Sequence, residues 1–419
     1  MTVPGLHELP PRVRADIVLG APLRRGDSTV HFVKDPRTGW FYQLGGREFF
    51  LLSQLDGRQT RAEVETAYAD RFGRRLGSAH WTALLDMFRR RQLLVEQTEA
   101  GAVVDDDVEL VELRDRADQQ RRSGRRRLWY ARFPIVNPDR FLRWLAPRLG
   151  WWYSPWFVVP ALVAAAVCVV LAVSRAGDLY AASRMNIGHP LAAVSFATTW
   201  LVIALHEVAH GLTCRRFGGA ATELGVLWRF PLLTPYCKTD DVVLFARRRH
   251  RVYTAFAGVF VNLVALVPFT VGWLLSTPGS HAHALAGSLL LYGTLTVLLN
   301  LLPVLRLDGY FMLNHAVGML DLRQETYRFW TALLRRRGLE SFRGRDRPIH
   351  VLYGLTVILL AGTLSVAVLT AWYVNLSRWV NPPAAVTLLA AEAVGLTLLI
   401  RYLRRRRARL AAGQPEQAG

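Results

Sequence analysis

The feature that most constrains the fold is a set of six apolar stretches. Each approaches or exceeds the roughly 20 residues that an α-helix needs to cross about 30 Å of hydrocarbon. Hydrophobic residues make up 52% of the 419 residues, yet the formal net charge is +20. Both facts are explained if the apolar residues are gathered into membrane spans that cations flank. We therefore expect a mainly α-helical protein, a polytopic six-span bundle of membrane helices, with spans near 156–174, 190–212, 253–275, 285–304, 350–373 and 384–401.

The distribution of arginine predicts how these spans are oriented. The connections between the second and third spans and between the fourth and fifth contain RRRHR, LLRRRG and FRGRDR, and RYLRRRRARL follows the sixth. STPGSHAH, between the third and fourth, has no Lys or Arg. Because positively charged loops stay in the cytoplasm, we expect both termini there. The beginning of the sequence has no apolar signal-peptide core, and the preference for arginine over lysine suggests a bacterial genome. We therefore expect a multi-pass protein of a bacterial cell membrane.

Residues 1–97 have the pattern of a small α+β domain. STVHFVKDPRTGWFYQL alternates apolar and polar residues around a turn, which predicts a β-hairpin. Three helices are expected to follow, in REFFLLSQLDG, in TRAEVETAYADRF and in SAHWTALLDMFRRR. In the second of them, Thr60 and Glu63 have the spacing of a capping box. A hairpin with three helices is a winged-helix-like pattern.

The rest of the chain divides by composition. Residues 98–150 are first acidic (VVDDDVELVE) and then basic (RDRADQQRRSGRRRLWYARFP). They are expected to be a charged linker and a juxtamembrane segment, with arginine and tryptophan either solvated or in contact with anionic lipid. Residues 151–404 hold the six spans, and 405–419 form a basic tail expected to be disordered. The three cysteines have no paired spacing, so no disulfide framework is expected.

The N-terminal domain also resembles a known family. YQLGGREFFLLSQLDGRQTRAEV and LLDMFRRRQLLV are similar to PqqD-like domains, the peptide-recognition elements beside enzymes that modify or process ribosomally made peptides. The resemblance implies that residues 1–97 capture a leader or flanking segment of a peptide substrate. A packing or DNA-binding winged helix is the alternative for the same pattern. Tethering to a membrane argues against DNA, so we expect no nucleic-acid partner.

The second apolar stretch carries the candidate chemistry. In TTWLVIALHEVAHGLTC, His206 and His210 are four residues apart, so both imidazoles project from one helix face about 6 Å apart. This separation suits two nitrogens that bind one zinc ion at about 2.0–2.1 Å. Glu207 projects about 100° away and can act as a general base on water. Ionisable groups inside a span are costly, which indicates a functional site.

A third zinc ligand is expected about 100 residues later, in LLNLLPVLRLDGYF. Asp308 follows the fourth span, which runs in the same direction as the second, so it lies at a depth similar to that of the histidines. Pro303 removes a helical N–H and Gly309 permits backbone angles that other residues avoid, so a broken helix can turn Asp308 inward. Two alternatives stay open: Asp240 or Asp241 is the third ligand, or the histidines are a structural pair.

HExxH on one span and NxxPxxxxDG after a later one resemble the site-2 protease family of intramembrane zinc metalloproteases, over residues 190–315. The resemblance implies a zinc ion and a catalytic glutamate that activates water. Carried over, the metal ligands are His206, His210 and Asp308, and the catalytic residue is Glu207. Asn300 and Gly309 lie in the second motif. On the intervening span, AGVFVN keeps the family's Gly258 and Asn262 but has Val259 where proline is usual.

The same resemblance implies a reaction and partners. The reaction is hydrolysis of a peptide bond in a membrane-associated protein or a ribosomally made peptide. The sequence leaves open whether the protein works alone or beside an export pump or adaptor. FGGAATELGVLWRFPLLTPYCKTDD occupies the place of the family's membrane-reentrant β-structure, which presents substrate as a strand. The alternative function is a non-proteolytic component of a peptide maturation, export or immunity system with a structural metal site. Cys214 is either a soft-metal ligand or a packed thiol, and Glu392 lines a water path or is satisfied locally.

Overall fold

Most of the chain is helical, and its strands form two small sheets. The computed structural model describes residues 11–412 except 27, 96–129, 187–188, 230–231, 337 and 343. The chain divides into two units, Met1–His350 and Val351–Gly419. The first unit contains both sheets and the residues of the candidate site. The second contains most of helix α12, Arg347–Leu376, and all of helix α13, Pro382–Ala412.

The first sheet is built around the predicted hairpin. Strand β3 pairs antiparallel with β4 on one side and with β1 and β2 on the other. The hairpin is confirmed, whereas β1 and β2 were not predicted because they are short and lack a clear alternation of apolar residues. The strands are β1 Val18–Leu19, β2 Leu23–Arg25, β3 Ser28–Asp35 and β4 Trp40–Gly45.

Three helices cover this sheet, as the sequence predicts. They are α1 Gly46–Gln54, α2 Arg61–Phe72 and α3 Ser78–Arg90. The capping box of α2 is present, since the Thr60 side chain accepts from Glu63 N and the Glu63 side chain accepts from Thr60 N. Val33 of the sheet and Leu51, Val64 and Phe88 of the helices are fully buried in one core. Burying these apolar side chains stabilises the domain.

In the described part of the chain, five helices are long and apolar enough to cross a membrane. Large apolar side chains point outward from them, including Val163 and Leu274, as expected for helices that lipid surrounds. The sixth predicted span lies inside α13, which is not among these five. The predicted disordered tail begins within α13, whose backbone is helical to Ala412, and 413–419 lie outside the described residues. The five helices are α5 Pro155–Ser174, α7 Leu191–Arg216, α8 Arg248–Leu275, α9 His281–Leu301 and α12.

Shorter helices complete the first unit. Leu179, Leu266, Trp273 and Leu290 form a buried core between the short helix α6 and the long helices α8 and α9. The core holds α8 against α9, so the residues at the ends of both helices have fixed positions. The shorter helices are α4 Asp139–Arg148, α6 Ala176–Met185, α10 Asp308–Val317 and α11 Leu322–Arg335, with 3-10 turns at Gly150–Tyr153, Asp240–Leu244 and Leu339–Ser341.

The second sheet has three antiparallel strands in the order β5-β6-β7. These are β5 Tyr130–Val136, β6 Glu223–Arg229 and β7 Leu232–Lys238. The first strand comes from the segment predicted as a juxtamembrane linker, and α4 follows it, with Leu142 buried against Leu212 of α7. The end of that segment is therefore folded onto the long helices, whereas its earlier part, 98–129, lies outside the described residues.

Contacts of β2 and β3 join the N-terminal sheet to the rest of the first unit. Arg24 of β2 pairs with the chain after α10, since Arg24 N donates to Gly318 O (3.2 Å) and Leu320 N donates to Arg24 O (2.9 Å). Lys34 Nζ of β3 lies 2.6 and 2.8 Å from the two carboxylate oxygens of Asp241. The domain is thus attached to the helical region by backbone pairing and by an ion pair.

Candidate metal centre

Three side chains converge between α7 and the start of α10. His206 Nε2 lies 2.9 Å from Asp308 Oδ2, and His210 Nε2 lies 3.3 Å from Asp308 Oδ1. The two Nε2 atoms are 3.1 Å apart. Among the described residues, this is the group of histidine, cysteine and acidic side chains that can hold a metal ion, with ligand atoms within 4.8 Å of one another.

The donor set fits a zinc ion. Ligands about 2.0–2.1 Å from a tetrahedral ion are about 3.3 Å apart, close to the separations between these nitrogens and oxygens. His210 Nδ1 lies 2.7 Å from Thr254 O, and because a carbonyl only accepts, Nδ1 carries the proton. In the neutral ring, the lone pair of His210 Nε2 then faces the cluster, as a metal ligand requires. Asp308 Oδ2 is buried, with His206 Nε2 as a close polar neighbour at 2.9 Å.

Helix α8 approaches the cluster through a glycine. A Cβ atom on Gly258 would lie 2.5 Å from Nε2 of both His206 and His210, closer than any real contact. Gly258 therefore leaves the space in which the ligand atoms meet. One turn further along α8, Asn262 is buried, and neither its Nδ2 nor its Oδ1 has a hydrogen-bond partner among the described residues. An unpaired buried carboxamide is costly, which suggests that it meets a polar group of a ligand.

The break between α9 and α10 directs Asp308 toward the histidines. α9 ends at Leu301 and α10 begins at Asp308, so the predicted interruption of the helix is present. Gly309 lies within α10 and does not have a positive φ, so the expected reason for this glycine is wrong. Its Cβ would lie 2.4 Å from Leu301 O and 2.8 Å from Asn300 O. Gly309 is needed for a close approach of two backbones, and the Asn300 carbonyl forms part of that contact.

Glu207 faces strand β7. Cys237 N donates a hydrogen bond of 2.9 Å to Glu207 Oε2. The carboxylate is also close enough to His206 and His210 to interact electrostatically with both. Burial, followed by the charge of Glu207, raises the pKa of the Cys237 thiol to about 12, so this thiol is neutral beside the glutamate. Thus β7 fixes one oxygen of Glu207 next to the candidate metal ligands.

The other acids proposed as third ligands have different partners. Asp241 pairs with Lys34 and its Oδ2 accepts from Ala220 N (2.9 Å), while Asp240 lies 3.3 Å from Lys238. Both acids are therefore occupied outside the histidine cluster. In the structural-pair alternative, the two imidazoles, 3.1 Å apart, would share a proton without a metal.

The two remaining candidates also lie outside the cluster. Cys214 is buried against Val242 and Phe245, which corresponds to the packed-thiol interpretation. Glu392 is exposed on α13, in the second unit. Neither residue therefore belongs to the group that can hold a metal.

Two partners of the site were not identified from the sequence. Thr254 contributes a backbone carbonyl and Cys237 a backbone N–H, and neither contact depends on the side chain. The spacing on α8 offered one signal, because Thr254, Gly258 and Asn262 recur every four residues and share a helix face.

Comparisons with family models, with curated proteins and with solved structures find no match for this chain. Functional inference therefore depends on the residues themselves. The strongest observation is that the side chains of His206, His210 and Asp308 converge at one point. Glu207, which β7 holds through Cys237 N, lies beside them.

Proposed function

We propose that this protein is an intramembrane zinc metalloprotease of the site-2 protease type, in a bacterial cell membrane. In this proposal α13 contributes a sixth span and both termini are cytoplasmic. The observation that carries the proposal is the convergence of His206, His210 and Asp308 inside an apolar helical region. Placing three ionisable groups there costs free energy unless they serve a ligand.

His206, His210 and Asp308 would hold the zinc ion. When bound, zinc supplies Lewis-acid activation of a water molecule and of a peptide carbonyl. Thr254 O positions the His210 ring by accepting from Nδ1. Gly258 keeps the approach to the ligand atoms free. These contacts prepare the site before substrate arrives, which reduces the reorganisation that catalysis requires.

Glu207 would act as the general base and then as the general acid. It accepts a proton from the attacking water and delivers it to the amine of the broken peptide bond. Cys237 N–H occupies Oε2, so Oε1 is the oxygen that exchanges the proton. The Asn262 carboxamide, which has no partner among the described residues, would donate to the carbonyl oxygen of the substrate.

The substrate would bind as an extended segment along β7. This strand lies at the end of its sheet, and its outer edge faces α7, where Trp200 Nε1 reaches Leu233 O (3.4 Å) and Glu207 reaches Cys237 N. Where its backbone groups are not bonded to Trp200 or Glu207, such a strand edge can pair with an added peptide strand through backbone hydrogen bonds. Pairing with β7 would bring a peptide bond of the substrate beside Glu207. Because this pairing uses backbone atoms, it would not depend on the side chains of the substrate.

Residues 1–97 would be a winged-helix-like, PqqD-like domain that captures a leader or flanking segment of the substrate. Its contacts through Arg24 and Lys34 keep it attached to the helical region. Tethering would raise the local concentration of a captured peptide near the site. An export pump or adaptor would act beside it, and the basic segments would contact anionic lipid.

Glu207→Gln tests this function, because it keeps the size of the side chain and removes its basicity. Purified wild type and E207Q should each carry one zinc per chain, measured by inductively coupled plasma mass spectrometry. Quantitative N-terminal proteomics of cells expressing either form should detect new protein N-termini only with the wild type. Cleavage that persists in E207Q would show that Glu207 is not the base.

Asp308→Ala is the matched variant for the metal. It should lose zinc and cleavage together, whereas Asp240→Ala, which removes an acid outside the cluster, should lose neither. A wild type that holds zinc but produces no new N-termini would favour the alternative, a non-proteolytic membrane component with a structural metal site. A wild type without zinc would contradict both.

A further inference from the structure

A polar cavity lies where the N-terminal sheet meets the helical region. Its volume is about 410 Å³. Three arginines line it, Arg24 from β2, Arg248 from the first turn of α8 and Arg345 from the segment before α12. Asp346 is the acidic residue among its lining side chains. We call this cavity, defined by these four residues, the arginine cavity.

The single carboxylate of the cavity is already engaged. Arg24 Nη1 donates to both Asp346 oxygens, at 2.7 and 2.8 Å. Arg24 Nη2 donates to Val317 O at 3.0 Å, but the buried Arg24 Nε has no hydrogen-bond partner among the described residues. Arg248 and Arg345 are exposed and have no acidic partner within the described part of the chain. The cavity therefore has two positive charges with no carboxylate partner among the described residues.

A buried cation lies one turn along α8 from Arg248, although it does not line the cavity. Arg251 follows Arg248 by three residues, hence on the same side of α8, and it is only 2% exposed. Its Nε and Nη1 atoms have no hydrogen-bond partner among the described residues. Burying an unpaired guanidinium is strongly unfavourable, so a nearby anion would stabilise it. His315 adds no charge of either sign, because burial, reinforced by Arg251, lowers its pKa to about 4 and it is neutral at pH 7.

The arginines approach one another at Gly318. Arg24 N donates to Gly318 O. A Cβ atom on Gly318 would lie 3.0 Å from the guanidinium carbon of Arg248. The positive φ of Gly318, 76°, already favours glycine at this turn. The turn after α10 thus brings a cation of the N-terminal sheet and a cation of α8 to the same side of the cavity.

We propose that the arginine cavity binds a phosphate-bearing anion, with Arg248 and Arg345 as its principal contacts. Guanidinium groups bind phosphate oxygens through paired, charge-assisted hydrogen bonds. α8 is one of the helices long enough to span a membrane, and Arg248 is its first residue, so the cavity lies at an end of that span. The phosphate can therefore belong to a lipid headgroup or to a soluble molecule.

Such an anion would connect three parts of the first unit. It would contact Arg24 of the N-terminal sheet, Arg248 of α8 and Arg345 beside α12 at once. α10, which begins at Asp308, ends at the same cavity with Val317. Binding would therefore strengthen the attachment of the N-terminal sheet and the position of α10. This proposal does not depend on proteolysis, and its tests need no substrate.

The test compares two double variants with the same change in charge. Arg248→Gln with Arg345→Gln removes the principal contacts, and Arg249→Gln with Arg335→Gln removes two exposed arginines outside the cavity. Full-length proteins are placed in phosphatidylcholine nanodiscs and titrated with inorganic phosphate at constant ionic strength, and the Tm is recorded. In a second arm, native mass spectrometry counts phosphatidylglycerol molecules retained from mixed phosphatidylcholine and phosphatidylglycerol discs.

The wild type and the exposed-arginine control should respond alike. A soluble phosphate would raise their Tm with phosphate concentration, and a lipid phosphate would leave one phosphatidylglycerol bound in preference to phosphatidylcholine. In the Arg248→Gln and Arg345→Gln double variant, the affinity for the anion that the wild type binds should fall about tenfold or more. Arg345→Gln alone is also measured, since that exposed side chain supports no other contact among the described residues. No response in either arm of the wild type, or equal responses in both double variants, would overturn the proposal.

Discussion

At the scale of single residues, Gly258 gives the most direct test of the metal centre. Gly258→Ala would put a methyl group 2.5 Å from both ligand nitrogens, so the imidazoles would have to separate. We expect zinc affinity to fall about 10- to 100-fold, as when residues that position metal ligands are changed. Competition with a chelator measures this affinity. Gly272→Ala on the same helix is the control, because its Cβ would make an ordinary 3.5 Å contact with Ala286. Equal affinities would disprove the packing argument.

Cys237 gives a prediction about pH. A thiol whose pKa is raised to about 12 by burial and by Glu207 stays protonated from pH 7 to pH 10, and only the thiolate reacts with alkylating agents. Iodoacetamide should therefore modify Cys237 slowly in the folded protein across this range, and rapidly after denaturation. Mass spectrometry of the peptide containing Cys237 measures the rate. An exposed cysteine introduced by Ser53→Cys should react increasingly fast above pH 8, and a similar rise at Cys237 would contradict the assigned environment.

The residues of the candidate site were predictable to different degrees. The i, i+4 spacing of His206 and His210 fixes their common face before any tertiary contact is known. Asp308 required the additional inference that a break after α9 turns the chain, which Pro303 suggested. The contacts of Thr254 O and Cys237 N were not predictable, because any residue carries these backbone atoms.

At the scale of elements, the junction of α9 and α10 determines where Asp308 lies. Gly309→Ala would bring a methyl group within 2.4 Å of Leu301 O, and because the neighbour is backbone it cannot rotate away. We expect α10 to move and zinc affinity to fall about tenfold or more, although all three ligands are present. Zinc retention during dialysis checks this. Gly177→Ala on α6, where no atom lies within 4 Å of the new methyl group, should retain zinc like the wild type.

Which elements were predictable follows from the kind of signal each one carries. Spans such as α8 are identified by length and apolar content, which do not depend on the rest of the chain. The β3–β4 hairpin has a period-two pattern around its own turn, so it too is a local property. β5 could not be predicted, because it lies after an arginine-rich segment and becomes a strand by pairing with β6, almost 90 residues later. That pairing is a tertiary contact with no local signature.

At the scale of the whole molecule, the attachment of the N-terminal domain determines whether it can cooperate with the metal centre. Arg24 and Lys34 contact different parts of the helical region, after α10 and after β7. β7 also holds Glu207, and α10 begins with Asp308. Movement of the N-terminal sheet would therefore shift both Glu207, the proposed base, and Asp308, a proposed metal ligand. A coupling of this kind requires that the two contacts contribute substantial free energy.

Lys34→Met tests one of these contacts. The Lys34 and Asp241 side chains are 13% and 11% exposed, so removing the amine leaves a largely buried carboxylate unpaired. Loss of one partner of a buried pair costs about 3–5 kcal/mol, and the hydrogen bond from Ala220 N will offset only part of this. We expect faster hydrogen–deuterium exchange in β3 and in the Asp240–Leu244 turn. Adding Asp241→Asn should recover part of the protection, because the neutral amide needs no counter-ion.

The other lysine of the chain supplies the matched control. Lys238 lies 3.3 Å from Asp240, but Asp240 is 52% exposed, and an exposed pair contributes only about 0–1 kcal/mol. Lys238→Met removes the same charge and should leave exchange in β3 unchanged. If both lysine variants exchange alike, the ion pair does not hold the N-terminal domain. Attachment would then depend on the backbone pairing of Arg24, its ion pair with Asp346 and the hydrogen bond from Gly26 N to Glu325. Lys34→Met should then leave zinc binding and cleavage intact as well.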